Sequence, residues 1–131
     1  MAGYLFSNSL LMLERAMNFQ WTKQVTINNN IVNGDTPGYK TKYVTFEEAL
    51  NANILSSLRT TDRRASSVRA AISASRPTVH VAENESFRMD DNGVDVAEQE
   101  LEATRNAYQM QYTIDAINRE LTSLRSLIKG Q

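Results

Sequence analysis

Cysteine is absent from this chain of 131 residues, and histidine occurs only once. Disulfides, thiol nucleophiles and thiolate zinc sites are therefore excluded as explanations of fold or function. His80 has no second histidine with which to complete a metal site or a His-based triad, so we interpret it as a residue on the surface of a strand. The sequence accordingly predicts no catalytic residues, no metal site and no cofactor.

A dominant charge and a long hydrophobic run are also missing. The 14 basic and 15 acidic residues leave a net charge of −1, which gives no general attraction to nucleic acid or to anionic lipid. The early apolar run Leu10–Leu13 is too short for a signal-peptide core, and no Lys or Arg precedes Arg15. No run is long enough for a transmembrane helix. Composition alone thus predicts no nucleic-acid partner and no membrane insertion, and it favours a cytosolic address.

Glycine and proline do not occur between Ser7 and Asn33, where apolar residues recur at steps of three and four. This pattern predicts a long amphipathic helix with a second apolar face beside the first. Asn33-Gly34 supplies residues that tolerate positive φ, and Pro37-Gly38 prevents the helix from resuming, so we expect it to end before Thr36. The main stripe comprises Leu10, Leu13, Met17, Ile27 and Ile31, and the second face comprises Trp21, Val25 and Val32.

A heptad pattern runs through the C-terminal segment without interruption and predicts a helix from about Val96 to Ile128. Asp95 and Glu98 form a capping box at its start, and Gly130 closes its end. At 1.5 Å per residue the helix would be roughly 50 Å long. Periodicity leaves open whether it pairs within the chain or between chains. The seam comprises Ala103, Ala107, Met110, Ile114, Ile117, Leu121, Leu124 and Ile128.

The middle of the chain has weaker patterns. Residues 46–55 could form a short helix, whereas 56–76 have few large aliphatic side chains and are expected to bury little and to be mobile in the isolated subunit. Thr78–Val81 and Ser86–Met89 predict a small β-hairpin.

Together these elements predict a mainly α fold, with long N- and C-terminal helices and a small irregular or β-hairpin middle segment. We expect a single domain, 1–131, in three parts. These parts are an N-terminal helix and turn over 1–40, a partly flexible middle segment over 41–92 and a C-terminal helix over 93–131.

Three polar clusters could be metal, catalytic or phosphate-binding sites, but each is better explained as ordinary protein surface. The run 90–93 lacks the ligand residues of a calcium loop at the required spacing, so we interpret it as a turn before a helix cap. Glu98 and Glu102 share a helix face but lack an apolar pocket that would separate their pKa values, which favours a solvated helix start. A basic group could dock on phosphates or on an acidic partner, or could simply be solvated. It comprises Arg59, Arg63, Arg64, Arg69 and Arg76.

The run from Asn29 to Lys40, which reads NNIVNGDTPGYK, resembles the N-terminal signature of the flagellar rod, hook and distal-rod family. In that family an Asn-rich helix ends in Ala-Asn and a Thr-Pro-Gly-Tyr turn, and Val32 stands here in place of the alanine. The length, the stretch Leu58–Asp62, the element Asp90–Asp95 and the stretch Tyr108–Tyr112 look most like the short proximal rod proteins. Arg63-Arg64 departs from the family, which has a histidine in that segment.

The resemblance implies a structural subunit of the flagellar basal body whose long N- and C-terminal helices pair as an antiparallel coiled coil and whose neighbours stack in a helical tube. It implies a chain made in the cytoplasm and exported unfolded by the flagellar type III apparatus, without a cleaved signal peptide, to the periplasmic rod. This reverses the cytosolic expectation. The implied partners are other rod subunits, membrane-ring and adaptor proteins, copies of itself and the export apparatus.

On this hypothesis the assembly interface comprises both terminal helices and the turn between them, in which Tyr39 would anchor on a neighbouring surface. The alternatives are another short rod protein, or an intracellular coiled-coil adaptor that would stay in the cytosol. The predicted interface residues are Leu10, Leu13, Met17, Trp21, Ile27, Asn30, Ile31, Asn33, Thr36, Pro37, Gly38, Tyr39, Met110, Ile114, Ile117, Leu121, Leu124 and Ile128.

Overall fold

A computed structural model of the protein describes residues 8–46, 65–83 and 89–130. The described chain is mainly helical, as the sequence predicted, and its two long helices pack against each other with antiparallel chain directions. A two-stranded antiparallel sheet lies between them in the sequence. The elements are α1 (Asn8–Val32), β1 (Lys42–Thr45), α2 (Ala65–Ala74), β2 (Thr78–Val81) and α3 (Val96–Lys129).

The ends of α3 follow from its capping residues. Asp95 is the N-cap, and its carboxylate accepts a hydrogen bond of 3.3 Å from the backbone amide of Glu98. At the other end Gly130 adopts φ 68° and donates its amide to the last carbonyls of the helix. Both predicted caps of this 34-residue helix are therefore confirmed.

Gly34 serves a different purpose from the one predicted. The helix α1 ends at Val32, before Thr36 as expected, but Gly34 does not take a positive φ, whereas Gly38 does, at 72°. A Cβ atom at Gly34 would lie 2.7 Å from Cγ2 of Val96 and 3.1 Å from the carbonyl oxygen of Ile31. Glycine is therefore required there because the end of α1 approaches the start of α3 closely.

The segment expected to bury little contributes to the core. Residues 65–74 form α2, and Ile72 is one of the most buried side chains described. Ile72 and Phe46 form the centre of an apolar cluster, and the ring of Phe46 stacks on Phe19 of α1 at 5.4 Å between centroids. The prediction for 56–76 was therefore wrong over α2, because Val68 and Ile72, four residues apart on one helix face, are enough to dock a short helix on α1. Residues 56–64 of that segment lie outside the described residues, and so does the helix expected over 46–55, except for Phe46.

The strand predicted at Thr78–Val81 is confirmed as β2, and it pairs with β1 in the register Lys42 to Val81 and Thr45 to Thr78. The other proposed hairpin arm lies, except for Met89, outside the described residues. His80 is half-buried in β2, where its ring stacks on Tyr43 and its Nε2 is 2.7 Å from the hydroxyl of Thr45. These contacts give His80 a role in the sheet.

Candidate assembly surfaces

The turn after α1 is held by the carboxamide of Asn92, which is fully buried. Its Nδ2 donates to the carbonyl oxygens of Asn33 at 3.1 Å and Thr36 at 2.7 Å. Its Oδ1 accepts from the backbone amide of Val94 at 2.8 Å. We call these three hydrogen bonds the amide clamp. The carbonyls of Asn33 and Thr36 also accept from the backbone amides of Thr36 and Tyr39, so the clamp adds a second hydrogen bond at each carbonyl.

Backbone hydrogen bonds join the same two segments on either side of the amide clamp. The amide of Gly38 donates to the carbonyl of Asp90 at 3.0 Å, and the amide of Gly93 donates to that of Tyr39 at 2.9 Å. Lys40 Nζ also forms an ion pair with Asp91 at 3.2 Å. The segment 33–39 and the run at 90–93, which both carry the family resemblance, therefore form one unit, called here the closed end of the helix pair.

Asn30 joins three elements next to the closed end, and its side chain is fully buried. Its carboxamide donates to and accepts from the backbone of Lys42, at 2.8 and 3.0 Å, as a neighbouring strand would. The same Nδ2 donates to Oε1 of Gln99 at 2.8 Å. A single amide of α1 thus positions both β1 and α3.

The face of α3 that points at α1 is largely polar. Its residues recur every seven positions, and α1 supplies matching groups: Asn106 Nδ2 donates to Gln20 O and Gln24 Oε1, and Ser9 donates to Glu120. Asn106 is fully buried. Polar residues at such positions specify helix register at some cost in stability. This polar column comprises Gln99, Asn106, Thr113 and Glu120.

An ion pair continues the α1–α3 contact beside the polar column. Lys23 Nζ lies 3.0 Å from Glu102, which also pairs with Arg105, and the Lys23 and Glu102 side chains are about a quarter to a third exposed. The hydrogen bond from Lys23 lowers the pKa of Glu102 against the opposing effect of desolvation, with help from Arg105. Glu102 is therefore a contact to α1, and the interpretation of a merely solvated helix start was wrong for it.

The apolar heptad seam of α3 is divided lengthwise by this arrangement. One half, the inner column, is half-buried beside the polar column, and the other half, the outer column, is exposed. Leu121 is 44% exposed and Ile128 is 73% exposed. The inner column comprises Ala103, Met110, Ile117 and Leu124, and the outer column comprises Ala107, Ile114, Leu121 and Ile128.

A groove of about 810 Å³ lies beside the seam, and its described lining is mostly apolar. Met17 and Trp21 line it from α1, and Ile117 lines it from α3. Ile114 and Leu121 lie three residues before and four residues after Ile117 and so share its helix face. Trp21, which lines the groove, is 61% exposed, and the outer column lies on α3 next to the groove residue Ile117.

The residues predicted for assembly fall into three groups. Those buried within the subunit are Leu10, Ile27 and Asn30. Those half-buried are Leu13, Met17, Ile31, Asn33, Tyr39, Met110, Ile117 and Leu124. Those exposed are Trp21, Thr36, Pro37, Gly38, Ile114, Leu121 and Ile128. Sequence reasoning missed the buried polar residues Gln20, Asn92, Gln99, Asn106 and Thr113, of which three repeat every seven residues and could have been found from that spacing.

Among the described residues, no helix is both long and apolar enough to cross a membrane, and no cluster of acidic, histidine or cysteine side chains could hold a metal ion. The prominent features are instead the closed end and the apolar groove.

Two relatives indicate the class of protein to which this chain belongs. A flagellar basal body rod protein FlgB of Bacillus subtilis (strain 168) is 30% identical over 128 residues, which cover 96% of this chain and 97% of the relative. A FlgB of Cereibacter sphaeroides is 28% identical over 127 residues, which cover 96% and 98%. No protein-family model matches the chain. The relatives define the class as flagellar basal body rod proteins. Within that class, the chain belongs to the FlgB family.

Proposed function

We propose that this protein is a structural subunit of the proximal rod, which assembles through its terminal helices and transmits torque along the basal body. The observation that carries the proposal is the outer column, which leaves half of an apolar heptad seam exposed beside an apolar groove. Exposed apolar surface of this extent is typical of a site that another protein covers.

The proposed occupant of the groove is a helix of a neighbouring rod subunit. A third helix seated between α1 and α3 would cover Trp21 and Leu121 together, because Trp21 lines the groove and Leu121 lies one helical turn from Ile117, which also lines it. The contact is heterologous, since the groove of one subunit receives a different surface of the next, and such contacts produce helical tubes. Copies of this chain, other rod subunits and proteins of the membrane ring are the proposed partners.

The closed end has a complementary role in this proposal. The amide clamp and Asn30 use hydrogen bonds inside the subunit to fix the angle at which the chain leaves α1. The side chains of Thr36 and Pro37 remain exposed. They are proposed to meet the neighbouring subunit from a rigid turn, which lowers the entropy that assembly must overcome.

The proposed route to the rod is export as an unfolded chain by the flagellar type III apparatus, without a cleaved signal peptide. The lack of cysteine suits this route, because a chain that enters an oxidising compartment unfolded then has no thiols to cross-link. No catalytic step is proposed for the protein.

The test is deletion of the gene and complementation with a tagged copy, followed by motility assays and fractionation of purified basal bodies. We expect loss of motility on deletion, and recovery of the tag at its full, uncleaved mass in the basal bodies. Normal motility with a tag confined to the cytosol would contradict the proposal and would favour an intracellular coiled-coil adaptor instead.

A further inference from the structure

Both segments of the closed end contain an Asn-Gly pair, at Asn33-Gly34 and at Asn92-Gly93. In such a pair the glycine nitrogen can attack the asparagine Cγ, because glycine has no side chain to hinder the approach. A C–N bond forms, the Cγ–Nδ2 bond breaks, and ammonia leaves with the proton from the glycine nitrogen. Water then opens the cyclic imide to aspartate or isoaspartate, so the net reaction consumes one water and needs no oxidant.

Every group in this reaction at Asn92 is engaged in the folded protein. The attacking nitrogen, that of Gly93, donates its hydrogen to the carbonyl of Tyr39. The carboxamide is held by the three hydrogen bonds of the amide clamp and is fully buried. Attack therefore requires the closed end to open, since the carboxamide must rotate and Gly93 must lose its partner.

Asn33 is held less completely. Its Nδ2 donates to the carbonyl of Asn29 at 2.8 Å and its Oδ1 accepts from the hydroxyl of Thr36 at 3.2 Å, but the side chain is only half-buried. Gly34 donates its amide to the carbonyl of Ile31 at 3.1 Å. The end of a helix frays more readily than the buried amide clamp opens. Asn33 therefore reaches water, and the geometry needed for attack by Gly34, more easily than Asn92 does.

We propose that Asn92 is a deamidation site whose reaction is controlled by opening of the closed end, and that its modification prevents the closed end from forming again. The product carboxylate would face the carbonyl oxygens of Asn33 and Thr36, which accept hydrogen bonds and cannot donate them. Isoaspartate would in addition insert a methylene into the backbone between Asn92 and Gly93. A chain that remains unfolded therefore loses, with time, its ability to close.

The experiment incubates the purified full-length chain at mildly alkaline pH, in buffer and in urea, and follows amide-to-acid conversion by peptide mass spectrometry. Trypsin separates the two sites, because Asn33 lies between Lys23 and Lys40 and Asn92 lies between Arg88 and Arg105. Each chain thus contains its own matched control. In urea both sites should react at similar rates, since glycine follows each asparagine.

In buffer we expect Asn92 to react at least about tenfold more slowly than in urea, which corresponds to an opening free energy of about 1.4 kcal/mol or more. Asn33 should be protected less than Asn92. Equal rates for Asn92 in buffer and in urea would overturn the proposal, as would stronger protection of Asn33.

The consequence of modification is tested separately with Asn92→Asp. Hydrogen exchange at the Gly38 and Gly93 amides, which donate across the closed end, should become faster in this variant than in the wild type, whereas the amides in the middle of α3 should keep their protection. Unchanged protection of Gly38 and Gly93 would show that the closed end tolerates the product, and would overturn the second half of the proposal.

Discussion

At the closed end, α1, β1 and α3 are joined by fully buried amides, whereas along the last third of α3 apolar side chains face solvent. This distribution reverses the usual one, in which apolar residues fill the interior and polar residues cover the surface. Amides recognise a partner by the direction of their hydrogen bonds and so specify one register, while an apolar column accepts any surface of suitable shape. On the proposed function, the closed end specifies the fold of the subunit, and the outer column contacts its neighbours.

The largest effect on folding is expected at the amide clamp. Asn92→Ala removes three hydrogen bonds of a fully buried carboxamide and leaves the amide of Val94 without its partner, which should lower the free energy of unfolding by about 3 kcal/mol. Urea unfolding followed by circular dichroism measures the change. Asn118→Ala, at an exposed position of α3, is the matched control and should change stability by less than about 0.5 kcal/mol. Equal effects of the two variants would mean that the closed end contributes no more to stability than an exposed position of α3 does.

A smaller effect is expected where α1 approaches α3. Gly34→Ala places a Cβ 2.7 Å from Val96, and displacement of that side chain should cost about 1–3 kcal/mol. The double variant with Val96→Ala should recover part of this loss, because the obstructing methyl is removed. A double-mutant cycle on thermal unfolding measures the coupling. Strictly additive effects would mean that the close approach does not limit residue 34.

The ion pair of Glu102 should contribute least among the contacts between the helices. Because its pKa is lowered in the folded state, Glu102 stabilises the fold above its ordinary pKa, and this contribution is lost as pH falls through the lower folded value. The Glu102→Gln variant should therefore be less stable than the wild type near neutral pH, by roughly 0.5 kcal/mol, and should converge with it in acid. Glu100→Gln, at an exposed position of α3, is the control. A difference that persists at low pH would exclude the ion pair as its cause.

The helix bounds and caps could be predicted because they depend on local signals: Asp95 with Glu98, Gly130, and a stretch of α1 without glycine or proline. The fold class followed from the same patterns. The partner of β2 could not be predicted, because β1 lies more than thirty residues upstream and its pairing depends on how Asn30 docks it.

The candidate site was predicted only in part, for a physical reason. Hydrophobic periodicity detects apolar seams and assigns them whole to the helix pair. Here α1 also faces the polar column, and only the inner column of the seam is half-buried beside it. Asn92 gave no sign of its role, because turn chemistry accounts equally well for Asn-Gly on a surface. Which half of the seam remains exposed depends on the rotation of α3 about its axis, which the buried amides Asn30 and Asn106 set through contacts with distant residues.

Leu121→Asp tests most directly whether the outer column is an assembly surface. The variant is measured both for unfolding of the free chain and for incorporation into basal bodies. The outer column is exposed in the subunit, so we expect unfolding to change by less than about 0.5 kcal/mol while incorporation is lost, because assembly would bury an unpaired charge. Asn118→Asp adds the same charge outside the seam and should still incorporate. Normal incorporation of Leu121→Asp would contradict the account, and so would a loss of incorporation that is matched by a loss of folding.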